Sequence, residues 1–563
     1  MKFSQMRYER IDVDAFKAAV TALMAEFETA KTVDEAVAAY DRIDREFIRA
    51  MSMRSLAYIR NSLDTRDEFY SAEQDYMDEV SPLLQEVSQE VSRMLLASPF
   101  RAELEEKWGS VMFLNTEIAL KAFSPELIPL MQEENKLTTE YDKLIASAQI
   151  EYDGKTLTLA QISPYHENAA RAVRKSSLDA KGTWFSQHRE RLDGIFDELV
   201  KLRTAMAATL GYKNYIELGY YQMTRNCYNA DMVKKFRDAV KKYIVPVAGK
   251  LIEAQAERIH APGTRLSMYD AALQYLDGNA NPQGTPDEIF EAGKKMYHEL
   301  SPDTAEFIDF MLENELFDVL TRPGKSGGGY CDDIPLYEAQ FIFANFNGTS
   351  ADVDVLTHEA GHAFAGYCGR GIFPYDLRQY TYETAETHSM SMEFFTHPWM
   401  ELFFGAQTAK YLYTHTADAL IFLPYGCMVD EFQHIVYERP ELTPAERNEV
   451  WKKLEAEYRP YLDFSEPPFY SEGRRWQAQA HIYVRPFYYI DYCLAQTNAL
   501  SFWTLDLQNH AEAWDTYRRF IGYAGTKTFT DLVALSGLPS PFEEQTLKAI
   551  ADGASKWLEE NKV

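Results

Sequence analysis

The segment His358-Glu359-Ala360-Gly361-His362 decides how this chain of 563 residues is interpreted. Its pattern, H-E-x-x-H, puts two imidazoles one helical turn apart on the same face of a helix. Two neutral imidazoles in that arrangement can both reach one Zn²⁺ at about 2.0–2.1 Å. Glu359 points away from that face and is free to take a proton from water at the metal. The segment therefore predicts a zinc site with an adjacent general base.

The flanking residues predict that this segment lies on a helix over residues 350–367. Thr349, Ser350 and Asp352 have the pattern of a capping box, in which a side-chain hydroxyl accepts from the exposed amides of the first turn. Apolar residues recur at helical spacing after the cap: Val353, Leu356, Ala360 and Phe364. Gly361 costs a helix about 1 kcal/mol relative to alanine, so we expect another backbone to approach closely there.

A catalytic zinc site needs a third protein ligand and leaves one position open for water. The next predicted helix, residues 380–396, offers Glu383 and Glu386. These residues are three apart and can share one face, so their spacing leaves both as candidates. Ser389 and Glu393 continue the polar stripe of Glu386, and the bulky apolar residues beside it favour a stripe that faces a cavity.

Composition excludes several classes of partner. The net charge of −29, from 86 acidic and 57 basic residues, argues against nucleic acid and against anionic membranes. The longest apolar run, near residues 419–429, contains Pro424 and is far shorter than a membrane span. Five widely separated cysteines without a C-x-x-C motif predict free thiols, and the N-terminus has no apolar signal core. We therefore expect a cytoplasmic protein; nothing in the sequence sets its oligomeric state.

The periodicity predicts a mainly α-helical fold with two regions. Residues 1–150 are expected to form an N-terminal helical lobe that provides one wall of a cleft, and residues 151–563 the catalytic region. Asp153-Gly154, between alternating β-formers, predicts a hairpin near this boundary. Residues 322–330 are glycine-rich without the order of a phosphate-binding loop, and we expect a mobile loop near the active site.

A short strand is predicted over residues 341–347, immediately before the zinc helix. Two interpretations of this strand are open. At the edge of a small sheet, the main chain of Phe343, Ala344 and Asn345 could pair with an extended peptide substrate. Alternatively, it is a plain buried strand without contact to any ligand.

A second cluster of chemically active residues lies near the C-terminal end: His481, Tyr488, Tyr489 and Tyr492. Pro486 can begin a helix, which would place Tyr492 three residues after Tyr489 and four after Tyr488, on adjoining positions of one face. Phenol or imidazole donors aimed at an oxygen that gains negative charge lower the barrier of hydrolysis. Spacing alone, however, favours an aromatic core helix with a satisfied histidine.

The motifs His358-Glu-Ala-Gly-His362 and Glu386-x-x-Ser389-x-x-x-Glu393 resemble those of the oligoendopeptidase F and thimet oligopeptidase family of zinc metallopeptidases. Residues 328–348 and 486–492 are similar to the bacterial oligoendopeptidase F and Pz-peptidase-like branch. The resemblance covers roughly residues 150–550 and implies two helical lobes around a deep channel, with a small sheet beside the zinc helix.

The resemblance also implies roles for individual residues. Glu386, rather than Glu383, would be the third ligand, and Glu393 would lie behind the ligands with Ser389, orienting a histidine through its free ring N–H. His481 would contact the substrate, and tyrosines of the following helix would stabilise the oxyanion. The thimet branch has a glycine-containing loop before its tyrosines, whereas this chain has Val484-Arg485-Pro486. Tyr492 is therefore assigned more directly than Tyr489, with Tyr488 as a competitor.

The expected function is that of a zinc-dependent endopeptidase, with one Zn²⁺ per chain, acting on short unstructured oligopeptides. Two alternatives are open from the sequence. A metallo-exopeptidase, such as a carboxypeptidase, could use the same zinc site. A zinc-containing peptide-binding protein without turnover is also conceivable, but binding alone requires no base such as Glu359.

Overall fold

The computed structural model describes all residues from Met1 to Val563. Helices account for 71% of the chain, and the strands form only two two-stranded sheets and one three-stranded sheet. The predicted mainly α-helical fold is therefore confirmed. No helix combines the length and the apolar composition that crossing a bilayer requires.

The first six helices precede every strand. Their bounds are Val13–Thr29 (α1), Val33–Leu63 (α2), Glu68–Leu96 (α3), Arg101–Trp108 (α4), Ser110–Lys121 (α5) and Ile128–Ala146 (α6). Side chains cap several of them; the carboxylate of Asp12 accepts from an amide of α1, and the hydroxyl of Thr32 accepts from one of α2. Their apolar faces belong to one buried core of 124 residues that continues into the rest of the chain.

The predicted hairpin follows α6. Its strands are Ile150–Tyr152 (β1) and Lys155–Leu157 (β2), which pair antiparallel. Asp153 and Gly154 both adopt positive φ angles, of 52° and 69°, as a type I′ turn requires. The hairpin prediction is confirmed, and the division of the chain near residue 150 stays a prediction.

Helices dominate the remainder, and the small strands lie among them. The elements between the hairpin and the small sheet are Leu159–Ile162 (α7), Arg171–Gln187 (α8), Arg189–Thr209 (α9), Tyr215–Gln222 (α10), Ala230–Ala239 (α11), Val245–Arg258 (α12), Leu266–Ser267 (β3), Pro286–Leu300 (α13) and Pro302–Glu313 (α14). The central elements are Phe317–Leu320 (β4), Tyr330–Ile334 (β5), Ala339–Phe346 (β6), Ala351–Gly369 (α15) and Tyr382–Phe395 (α16). The C-terminal elements are Glu401–Phe404 (α17), Thr408–Glu438 (α18), Pro444–Tyr458 (α19), Leu462–Asp463 (β7), Pro468–Ser471 (α20), Ala480–Val484 (α21), Tyr489–Asp506 (α22), His510–Gly522 (α23), Phe529–Leu535 (α24) and Glu544–Glu560 (α25).

The prediction that the strand before the zinc helix is an edge strand is wrong. The sheet order is β4-β6-β5, so β6 is the central strand. Phe343 lies opposite both Asp318 and Tyr330, and its side chain and that of Ala344 are fully buried. The side-chain amide of Asn345 donates to the glycine-rich loop at Ser326 and Gly328. The edge strands of this sheet are β4 and β5, and β5 packs against α15.

The glycine-rich loop between β4 and β5 is anchored by Lys325. The ammonium of this buried residue donates to the carboxylate of Asp318 at 2.7 Å and to the carbonyl of Ala344 at 2.5 Å. The loop also contacts the end of α2, where the amide of Thr65 donates to the carbonyl of Gly324 at 2.7 Å. The loop therefore joins the N-terminal helices to the small sheet.

Helix α15, which carries the H-E-x-x-H segment, begins at Ala351 without the predicted hydroxyl cap. Ser350 makes no capping hydrogen bond. The carboxylate of Asp352 instead accepts from the amides of Asn347 and Gly348, both at 2.8 Å. The capping-box prediction is wrong because Gly348, at a φ of 87°, turns the chain so that these preceding amides face Asp352.

The predicted close approach at Gly361 is confirmed. A Cβ atom at this position would lie 2.6 Å from the Cα of Ser389 and 2.8 Å from the carbonyl oxygen of His388. Helices α15 and α16 therefore cross with their backbones nearly in contact. This crossing brings Glu386 of α16 over the two histidines of α15.

Candidate metal centre

The side chains of His358, His362 and Glu386 converge on one point. The Nε2 atoms of the two histidines lie 3.2 and 3.3 Å from Oε2 of Glu386, and the two rings are inclined at 82°. Tetrahedral ligands at about 2.05 Å from a zinc ion are themselves about 3.3 Å apart. The donor set and its spacing therefore fit a single zinc ion.

Glu383, the other candidate from the same helix, points elsewhere. The hydroxyl of Thr381 donates to its Oε1 at 2.6 Å. Burial, together with the charge of Asp491, raises the pKa of Glu383 to about 8. The structure thus brings Glu386 to the histidines and leaves Glu383 buried, with its carboxylate bound by Thr381.

Glu393 links a histidine of the centre to two further histidines. Its Oε1 lies 2.6 Å from Nδ1 of His358 and its Oε2 lies 2.9 Å from Nε2 of His415. Nδ1 of His415 is in turn 3.0 Å from Nε2 of His397. When Nδ1 of His358 donates its proton to Glu393, Nε2 keeps a lone pair directed at Glu386. Sequence reasoning missed His415 and His397, since no spacing rule connects either to the zinc helix.

The histidines around Glu386 and Glu393 favour the ionised form of both carboxyl groups. Burial alone would raise the pKa of Glu386, but the imidazoles of His362 and His358 outweigh burial and hold that pKa well below its usual value. For Glu393, hydrogen bonds from His358 and His415 likewise outweigh burial and lower the pKa. Both acids are thus suited to hold positively charged or metal-bound partners. Ser389, also behind the centre, donates from its hydroxyl to Oε2 of Glu386 at 3.1 Å.

Glu359 has an unpaired carboxylate oxygen. The side chain is 6% exposed, and its Oε2 is buried without any hydrogen-bond partner. Burial raises the pKa of Glu359 above its usual value, against the opposing effect of the neighbouring imidazoles. A Cβ atom at Gly329 would lie 3.5 Å from Glu359 Oε1, so the beginning of β5 passes directly beside this carboxylate. A buried acceptor without a protein partner marks a place for water or a ligand.

The three tyrosines of the second cluster face different partners. The Tyr488 hydroxyl donates to Oε1 of Glu386, and the Tyr492 hydroxyl lies 3.2 Å from Nε2 of His481. Tyr489 packs its ring against Tyr425, with ring centroids 5.8 Å apart, and makes no hydrogen bond through its hydroxyl. Tyr488 therefore contacts one of the three converging side chains, His481 and Tyr492 pack against Tyr488, and Tyr489 lies beside Tyr492 on the side of Tyr425.

The prediction that Pro486 begins the tyrosine helix is wrong. Helix α22 begins at Tyr489, because Phe487 adopts a left-handed conformation with a φ of 65°. Gln433 accepts from the Phe487 amide at 2.8 Å, and Arg225 donates to the Phe487 carbonyl. A left-handed turn is thus present before the tyrosines although the chain has no glycine there.

Gln479 fixes the tautomer of His481. The Tyr425 hydroxyl donates to Oε1 of Gln479 at 2.6 Å, which leaves the Gln479 amide nitrogen to donate to Nδ1 of His481 at 3.0 Å. Nε2 of His481 therefore carries the ring proton and donates it to the hydroxyl oxygen of Tyr492. Burial lowers the pKa of His481 to about 4, so the ring is neutral near pH 7. Tyr492 consequently keeps its own phenolic proton for another acceptor.

Comparisons with known proteins agree with this arrangement. The sequence profile of peptidase family M3 matches residues 165–552, and that of the peptidase M3 N-terminal domain matches residues 3–123. No curated protein sequence matches the chain.

Solved structures are similar over the whole chain. One is Pz peptidase A with inhibitor 2, which is 47% identical, covers 99% of both chains and has a TM-score of 0.98. A putative oligoendopeptidase F is 46% identical, with 99% of both chains covered and a TM-score of 0.98. Another, from Bacillus anthracis str. Ames, is 42% identical, with 100% of this chain and 99% of that chain covered and a TM-score of 0.93. The chain therefore belongs to peptidase family M3 and is a metallopeptidase by family and fold.

Proposed function

We propose that this peptidase is a zinc-dependent endopeptidase that hydrolyses internal bonds of short, unstructured oligopeptides. One observation carries the proposal: three ligand atoms converge at zinc spacing beside the unpaired Oε2 of Glu359. His358, His362 and Glu386 would hold one Zn²⁺ per chain. Bound there, the ion would supply a Lewis acid that polarises a peptide carbonyl and acidifies a water molecule toward a pKa of about 7.

Glu359 is the general base of the proposed reaction. Its free carboxylate oxygen accepts a proton from the attacking water and afterwards delivers it to the nitrogen of the leaving amine. The raised pKa that burial gives this carboxyl favours both transfers near neutral pH. A base with this task must lie beside the scissile bond. The edge of β5 passes beside Glu359 and would hold an extended peptide there.

Tyr492 is the donor that best suits the developing oxyanion. Its hydroxyl oxygen accepts from the neutral ring of His481, so the phenolic proton can be donated to an oxyanion. Tyr488 contacts Glu386 and orients that ligand, while Tyr489 contributes to the wall of the substrate channel. Loss of one such oxyanion donor typically costs about 3–4 kcal/mol of transition-state stabilisation.

The substrate main chain would pair with the free edge of β5. Gly329 and Tyr330 lead this strand past Glu359, and pairing through main-chain hydrogen bonds does not depend on side chains. Tyr58 of α2 packs on the ring of Tyr330, with centroids 5.2 Å apart. Residues 1–150 would accordingly form the opposing wall, and a cleft of this kind admits extended peptides rather than folded proteins.

Peptides blocked at both ends test the endopeptidase assignment. We expect the zinc-loaded protein to cleave such peptides at internal bonds, identified by mass spectrometry, and to lose this activity on chelation and regain it with added Zn²⁺. An exopeptidase with the same metal site would leave blocked peptides intact. A binding protein would release no products from blocked or free peptides, and either result would contradict the proposal.

Replacing His415 tests the histidine chain behind the centre. We expect His415→Ala to weaken zinc binding about 10- to 100-fold, because Glu393 loses the partner that fixes it against His358. Competition with a fluorescent chelator measures this affinity. His415→Gln should restore part of it, since its amide can donate to Glu393.

The matched control for this measurement is His298→Gln. His298 forms a comparable pair with Asp309, at 3.0 Å, on the protein surface. This variant should bind zinc like the unaltered protein. Equal zinc affinity in His415→Ala and His298→Gln would show that His415 does not support the centre.

A further inference from the structure

A cavity of about 230 Å³ with acidic lining residues lies beside the metal centre. Asp354, Asp418 and Glu393 line it, whereas no lysine or arginine does. Asp418 is exposed and forms no hydrogen bond or ion pair within the protein. Asp354 keeps one carboxylate oxygen free, because only its Oδ1 accepts from the Tyr411 hydroxyl, at 2.6 Å. The cavity therefore offers negative charge that no lysine or arginine of its lining neutralises.

The cavity shares residues and neighbours with the metal centre. Asp354 lies four residues before His358 on α15, which is about 6 Å along the helix axis. Glu393 contacts Nδ1 of His358 at 2.6 Å. The ring centroid of Phe422, a further lining residue, is 6.4 Å from that of Tyr492. A peptide bound at the centre would therefore reach the cavity within about two extended residues, at about 3.3 Å per residue.

An amide without a hydrogen-bond partner also lines the cavity. Gln496 follows Tyr492 by one turn of α22 and is 5% exposed. Neither Nε2 nor Oε1 of its side chain forms a hydrogen bond within the protein. A buried amide of this kind is costly unless a ligand or water completes it. Its carbonyl oxygen adds a neutral acceptor to those of the two aspartates.

The acids of the cavity do not have the arrangement of a second metal site. Only His358, His362 and Glu386 bring three ligand atoms of histidine, cysteine or acidic side chains within 4.8 Å of one another. The volume of the cavity also exceeds what an ion needs. A cavity of about 150 Å³ already accommodates a benzene molecule, so this one has room for a long side chain.

The acids in and around the cavity repel one another. Burial raises the pKa of Asp418 to about 7, and His415 opposes this rise. The charges of Asp354 and Glu167 contribute to the rise. His415 is itself engaged by Glu393, at 2.9 Å. A cation among these acids would relieve the repulsion and favour the ionised form of both aspartates.

We propose that the cavity is a subsite for a lysine or arginine side chain of the bound peptide, one or two residues from the scissile bond. The ammonium or guanidinium would donate to Asp418 and Asp354, and a further N–H would reach the carbonyl of Gln496. The apolar stem of the side chain would pack on Phe422. This inference rests on the proposed endopeptidase function and names the class of peptide that the enzyme favours.

Pairs of quenched-fluorescence peptides blocked at both ends test the subsite. Each pair carries lysine or Nε-acetyl-lysine at one position, and that position is moved through the residues on either side of the cleaved bond. Acetylation keeps the stem of the side chain and removes its charge. At one position we expect the unaltered protein to cleave the lysine peptide about 10-fold more efficiently, through KM rather than kcat, because only lysine makes charge-assisted hydrogen bonds.

The variant Asp418→Asn should bring this ratio close to one, and Asp418→Lys should favour glutamate over lysine at the same position. Asp231→Asn alters an exposed aspartate in the first turn of α11. It is the matched control and should keep the full ratio. Zinc content and the melting temperature report whether each variant folds.

Two results would refute the subsite. One is a ratio near one at every position of the peptide for the unaltered protein. The other is an unchanged ratio in Asp418→Asn, which would show that this carboxylate does not bind the lysine. No cleavage of any peptide in the set would instead refute the endopeptidase proposal itself.

Discussion

Glu359→Gln should lower kcat by about 10⁴-fold while the protein still binds one zinc ion per chain. A decrease of about 10⁴-fold is the largest rate effect that general acid–base catalysis typically has. We expect it here because one carboxylate serves as both base and acid: it accepts the proton from water and then delivers it to the leaving amine. Glutamine keeps the shape of the side chain but cannot accept a proton at neutral pH. Steady-state rates on a quenched-fluorescence peptide, together with metal analysis of the same sample, measure the two expectations.

The zinc content decides how a loss of activity in this variant is interpreted. Because Glu359 is not one of the three converging groups, the substitution leaves all three proposed ligands intact. A variant that loses zinc would show that Glu359 supports the centre instead of acting as its base. Normal turnover with zinc present would remove Glu359 from the mechanism altogether.

Local helical geometry explains which parts of the site could be predicted. The positions of His358 and His362 follow from the helical repeat, and the need for a close neighbour at Gly361 follows from the cost of glycine in a helix. Both depend on one stretch of chain. The crossing partner at Gly361, which is α16, could not be deduced from that stretch.

Features that depend on distant partners were missed or predicted wrongly. The strand β6 is central because β4 pairs with it in parallel on one side and β5 pairs with it antiparallel on the other. Helix α22 begins late because Arg225 and Gln433, far away in the sequence, stabilise the left-handed Phe487. His415 of α18 reaches Glu393 of α16 from a different helix. None of these contacts has a spacing rule.

The choice between Glu383 and Glu386 shows the same limit at the metal itself. Residues three apart on a helix differ by about 60° in direction, so both are compatible with one broad face. The crossing at Gly361 selects Glu386, and Glu383 turns toward Thr381. The resemblance to the oligoendopeptidase F family favours the same residue from its motif, so geometry and family pattern agree on independent grounds.

Glu386→Gln and Glu383→Gln form a matched pair that tests this choice. Both substitutions change one buried carboxyl of α16 to an amide of the same shape. We expect Glu386→Gln to lose zinc on dialysis, because the amide carries no charge to neutralise the ion. Its zinc affinity should fall further than the loss of about 10- to 100-fold that follows when a residue that only positions a ligand is removed. Peptidase activity should fall with the zinc content.

Glu383→Gln should retain one zinc ion and nearly full activity. The pKa of Glu383, raised to about 8 by burial and by Asp491, keeps most of this carboxyl protonated at pH 7, so the neutral amide resembles its normal state. The Thr381 hydroxyl can still donate to the amide oxygen. If metal analysis instead found zinc in Glu386→Gln and none in Glu383→Gln, the third ligand would be Glu383. The convergence at Glu386 would then not be the metal-binding arrangement, and the assignments of Tyr488 and Ser389 that rest on it would be withdrawn.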